Sequence, residues 1–123
     1  MSDTLDTPRD PLHLDLQLEP GADGREAPTI VVRGELDLGG AERMRAAADA
    51  ALAATAAGPI GLDLADLTFI DSVGLWELLR LHRRAGEQGR EVHVVACSTL
   101  VRRMIILAGL ETVLRLPCEP TAG

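Results

Sequence analysis

Ser72 carries the only hydroxyl in Asp71-Ser72-Val73-Gly74, and its surroundings put that hydroxyl at the mouth of a helix. Before it, Ile60-Gly61-Leu62-Asp63-Leu64 is a short apolar run that predicts a buried strand. After it, Leu75, Leu78, Leu79 and His82 recur at helical spacing, and the run closes at Gly86. Ser72 is thus expected at the N-cap, a position that Ser and Asp favour. The N–H groups of a first helical turn lack partners within the helix, and the local dipole is positive. A phosphate on Ser72 would meet donors and a favourable field. The same residue types also make an ordinary serine cap. A hydrolase is disfavoured, because no Gly-x-Ser-x-Gly elbow surrounds Ser72. His13, His82 and His93 sit in or beside apolar patterns and are expected to be structural.

The elements that position Ser72 follow from patterning. Residues 1–11 are polar and hold two prolines, and a disordered tail is expected there. Leu12, Leu14, Leu16 and Leu18 alternate with polar residues, the pattern of a half-exposed strand. Pro20 to Pro28 makes a turn, and Thr29 to Leu36 is a second strand expected to pair antiparallel with the first. A helix is predicted from about Ala41 to Ala57, stopped by Gly58-Pro59. The strand Ile60–Leu64, the helix opened by Ser72 and a strand over Glu91–Cys97 come next. Ser98 caps a third helix to about Ala108, with Gly109 at its C′ position, and Val113–Leu116 is a last short strand. Strands alternating with helices give an α/β fold, a mostly parallel sheet of about five strands with an antiparallel first strand and three main helices.

Composition sets bounds. The 123 residues make one domain, over 12–116, with a short C-terminal tail over 117–123. The net charge of −7 argues against nucleic acid or an anionic membrane surface as a direct partner. No apolar run is long enough to span a bilayer and no signal pattern opens the chain, so a cytoplasmic location is expected. Two cysteines, Cys97 and Cys118, do not make a disulfide framework, and no His or Cys spacing suggests a metal or calls for a cofactor.

The segment Asp66 to Leu75 closely resembles the phosphoacceptor segment of anti-sigma factor antagonists, the bacterial STAS-domain family. Gly34-Glu35-Leu36-Asp37 is similar to that family's turn between second strand and first helix. Ser98-Thr99-Leu100-Val101-Arg102-Arg103-Met104, with Leu107-Ala108-Gly109-Leu110, is similar to its third helix and exit. The resemblance runs from about His13 to Leu116. It implies a protein without enzymatic activity of its own, which binds an anti-sigma factor serine kinase and so frees a sigma factor. Phosphorylation of Ser72 reverses this, and a serine phosphatase restores the active form. It also implies that Asp37 and Asp71 lie close to the phosphoacceptor. A second use of STAS domains, as regulatory subunits of membrane ABC transporters, would dock the same helix on an ATPase without phosphorylation. The family's fourth helix is expected to be absent, since residues 117–123 are too short and too Pro-rich for it.

Projecting Ser72 to Gly86 at about 100° per residue places Gly74, Leu75, Leu78, Leu79, Leu81, His82 and Ala85 on one side. Ser72, Val73, Trp76, Glu77, Arg80, Arg83 and Arg84 fall on the other, which should face water. Val73 and Trp76 do not belong there on solvation grounds, and Trp76 near Ser72 has the character of a binding anchor. The candidate partner surface is therefore Asp37, Asp71, Val73, Trp76, Arg80 and Arg83, around Ser72. Ile106 stands on the polar side of the third helix, where packing against the C-terminal segment is expected.

Overall fold

The computed structural model describes residues 13–21 and 28–117, so the tail over 1–11, most of the Pro20–Pro28 turn, and Cys118 with the rest of the C-terminus lie outside the described residues. Two strands open the fold, β1 (Leu14–Glu19) and β2 (Thr29–Leu36), joined antiparallel with Leu14 opposite Gly34 and Glu19 opposite Thr29. A turn of 3-10 helix over Leu38–Gly40 leads into α1 (Ala41–Ala54). Then come β3 (Ile60–Leu64), β4 (Leu67–Ile70), α2 (Ser72–Glu87), β5 (Val92–Cys97) and α3 (Thr99–Leu107).

Among the described residues the sheet has five strands in the order β1-β2-β3-β5, with β4 paired to β2 beyond β3. All pairings but the first are parallel. The expected sheet is present, but one of its strands is not where the sequence placed it. Residues 113–115 lie in turns rather than a strand, and the Val94 N–H donates to the Arg115 carbonyl at 3.1 Å, tying the segment to the edge of β5. The fifth strand is instead β4. It continues β3 past a jog at Ala65-Asp66, which is held by the Asp63 carboxylate on the Ala65 N–H (3.1 Å). Across the jog, the N-terminal half of β2 pairs with β3 and its C-terminal half with β4.

Burial follows the parallel-sheet rule that central strands are apolar on both faces. Ile30, Val32, Leu62 and Leu64 are fully buried, and Met44, Ala48, Ala51 and Leu52 close the core from α1. Leu78, Leu81 and Ala85 do so from α2, and Val101 and Ile105 from α3. Along β1 burial fades from Leu14 to an exposed Leu18, as expected at an edge. Arg90 anchors the end of α1. It is buried and donates to the carbonyls of Leu52 (3.0 Å), Thr55 (2.9 Å) and Gly58 (2.8 Å), where the last helical carbonyls lack partners.

The buried face of α2 is rotated from the projected one by about 50° at 100° per residue. Its buried residues are Gly74, Glu77, Leu78, Leu81 and Ala85, while Leu75, Leu79 and His82 are only half-buried. Glu77, expected to face water, is 2% exposed. Its carboxylate accepts two hydrogen bonds from Arg45 on α1, at 2.6 and 3.3 Å, which makes burial of the charge tolerable. This bond and the Glu77 charge raise the pKa of Arg45 above its ordinary value.

Candidate functional site

Strands β2 and β4 run parallel and end side by side, with Leu36 opposite Ile70. The next residue on each is an aspartate, Asp37 and Asp71, and the Asp71 N–H donates to the Leu36 carbonyl at 3.2 Å. Both aspartates are extended and both cap a helix. Asp37 accepts from the Gly39 N–H at 3.0 Å, and Asp71 from the Gly74 N–H at 2.9 Å. The N-cap of α2 is therefore Asp71, and Ser72 is the first helical residue, one place later than expected. Either residue type caps well, and the chain resolves the choice by putting the carboxylate three residues before the Gly74 amide.

In the first turn of α2, Gly74 donates to the Asp71 carboxylate and Leu75 to the Asp71 carbonyl at 2.9 Å. The N–H groups of Ser72 and Val73 remain without intrahelical partners, beside the exposed Ser72 hydroxyl. Gly74 lets this turn sit close on the strands. A Cβ there would stand 2.5 Å from the Leu36 carbonyl oxygen and 2.7 Å from Ile70 Cγ1.

On the corrected helical wheel, Ser72, Trp76 and Arg83 line up within about 40° of one another, opposite the core. Trp76 is 54% exposed, and the Arg83 guanidinium lies 5.2 Å from its ring centroid, a cation–π distance. Leu38, in the 3-10 turn that packs on the start of α2, and Phe69 on β4 are also exposed. Val73 is half-buried. Arg80 points toward α1, where it and Arg84 each reach the Asp49 carboxylate at 3.3 Å. Its Nη1 is buried with no partner among the described residues.

Of the residues named from the sequence, Asp37, Asp71, Ser72, Trp76 and Arg83 thus occupy one end of the sheet and the outer face of α2, and Arg80 ties α2 to α1. Ile106 is exposed, and it is Arg102 that reaches the C-terminal segment, donating to the Pro117 carbonyl. His13, expected to be structural, has its Nε2 3.1 Å from Asp37 Oδ1. Only the register of β1 on β2 reveals that proximity. Among the described residues no helix is long and apolar enough to cross a membrane.

The fold has known counterparts. A family model described as Mlab, STAS domain matches residues 22–116. A STAS-domain containing protein of Pseudomonas aeruginosa is 31% identical over 97 residues, 79% of this chain and 93% of the relative. The crystal structure of an anti-sigma factor antagonist from Mycobacterium paratuberculosis superposes with a TM-score of 0.68 at 28% identity, covering 94% of this chain and 92% of that one. The Bacillus cell fate determinant SpoIIAA in its phosphorylated form gives 0.58 at 28% identity, covering 85% and 93%. With three α-helices among the described residues on a mostly parallel sheet, an antiparallel first strand and a family match over most of its length, the chain belongs to the STAS-domain family and has the fold of anti-sigma factor antagonists.

Proposed function

We propose that this protein is an anti-sigma factor antagonist switched by phosphorylation of Ser72. It binds an anti-sigma factor serine kinase in the cytoplasm through the outer face of α2 and the Asp37 turn, and so frees a sigma factor. The observation that carries the reading is the exposed Ser72 at the first position of α2, beside two amides without intrahelical partners and an exposed Trp76. Asp71 and Asp37 fix the loop around the acceptor, and Trp76 with Arg83 anchors the partner. A phosphate there brings roughly −1.5 to −2 charges to a contact surface that already holds Asp71. Desolvating that charge opposes rebinding, and no refolding is needed. A serine phosphatase resets the switch.

Intact-mass analysis after incubation with the cognate kinase and ATP tests this assignment. One added phosphate is expected on the wild type and none on Ser72→Ala. Equal modification of both would remove Ser72 from the account.

The exposed Trp76 also favours a second reading, a regulatory subunit of a membrane ABC transporter that docks its ATPase with this helix. That reading needs no modification, and binding would then be indifferent to a charge at position 72.

A further inference from the structure

On the same end of the sheet, His13, Glu35 and Asp37 bring one imidazole nitrogen and two carboxylate oxygens within 4.8 Å of one another. The pairing of Leu14 with Gly34 sets His13, one residue earlier, beside Glu35. Glu35 and Asp37 are two apart in extended chain and so share the face of β2 opposite the buried Leu36. Gly34 makes the approach possible. Its φ is +95°, and a Cβ there would fall 2.0 Å from the His13 carbonyl oxygen, so only glycine fits. The Asp37 carboxylate is already oriented by the Gly39 N–H at 3.0 Å, the kind of outer hydrogen bond that fixes a metal-ligating group. The Glu35 side chain is exposed and makes no hydrogen bond or ion pair among the described residues.

We infer that His13, Glu35 and Asp37 form a binding site for a divalent transition-metal ion, with Zn2+ the best match. An imidazole selects zinc and its neighbours in the series over Mg2+ and Ca2+, and two carboxylates balance the charge of the dication. Ligand atoms about 2.0–2.2 Å from a tetrahedral zinc sit roughly 3.5 Å apart. Rotation of the unrestrained Glu35 side chain closes the remaining distance. Three protein ligands leave one coordination position open. The site adjoins the Ser72 surface, because Leu36 between its two carboxylates accepts from the Asp71 N–H. Its existence does not depend on the phosphorylation reading.

The test is calorimetric titration of the full chain with ZnCl2 at neutral pH, alone and in excess MgCl2. One Zn2+ per chain is expected, undisturbed by Mg2+. Glu35→Gln and His13→Asn should each weaken binding at least about tenfold, while His93→Asn, beside Glu91 at a separate His–Glu pair, should not. Glu35 is exposed, so its variant retains the fold, and melting curves in EDTA verify this. Absence of saturable Zn2+ binding would overturn the inference. So would binding that survives Glu35→Gln and His13→Asn, or full competition by Mg2+.

Discussion

Truncating Trp76 separates an anchor from a core residue. With 54% of the residue exposed and a Trp presenting about 150–250 Å² in all, roughly 80–135 Å² is available to a partner. At about 25 cal/mol per Å² its burial is worth at most some 2–3 kcal/mol. Ordering costs and imperfect packing reduce that figure. Trp76→Ala should therefore weaken the complex with the kinase by about 10- to 30-fold, or roughly 1.4–2 kcal/mol. The free protein loses much less. The ring lies opposite the core, the exposed Arg83 guanidinium lies over it, and Ala restores helix propensity, so stability should change by no more than about 1 kcal/mol. Calorimetric titration gives the first quantity and thermal melting the second. As the sole Trp, it also reports directly, and the free protein should emit at the red end of the indole range. Unchanged affinity with a large fall in melting temperature would refute the reasoning.

Two further predictions concern the scaffold. Arg90→Ala should cost about 2–4 kcal/mol, measured by urea unfolding, because it strips the donors from three carbonyls around the end of α1 and leaves a cavity. Cys97 should resist alkylation at pH 8 in the native state, measured on a Cys118→Ser background. Burial pushes its thiol up to about 11, against a smaller opposing pull from Arg102, and the thiolate is the reactive form. Since the folded pKa is raised above the ordinary 9.0, the unfolded state loses its proton first. The contribution of this thiol is therefore whole below about pH 9 and is lost as pH rises toward 11.

What the sequence revealed divides along the range of the interactions. Alternation in β1, the apolar runs of β2, β3 and β5, and the Ser98 cap on the Val101 N–H are local, and all were legible. The assignment of Ser72 as N-cap erred by one residue, because Asp71 and Ser72 are adjacent capping types and only the backbone decides between them. Strand β4 escaped notice because it has four residues, two of them exposed, and follows β3 after a jog that carries no Gly or Pro. Glu77 was misplaced because its partner, Arg45, is 32 residues away. Without that partner a Glu flanking an apolar stripe belongs in water. The proximity of His13 to Asp37 likewise rests on strand register, 24 residues apart.

The central claim is that charge at position 72 controls partner binding. Its most direct test is titration of the anti-sigma factor kinase against the wild type and Ser72→Asp. Aspartate at the first helical position is compatible with the dipole, so the variant should melt within about 1 kcal/mol of the wild type. The account predicts that the variant, though folded, binds at least about tenfold more weakly. Equal affinity of the two forms for the kinase would contradict it.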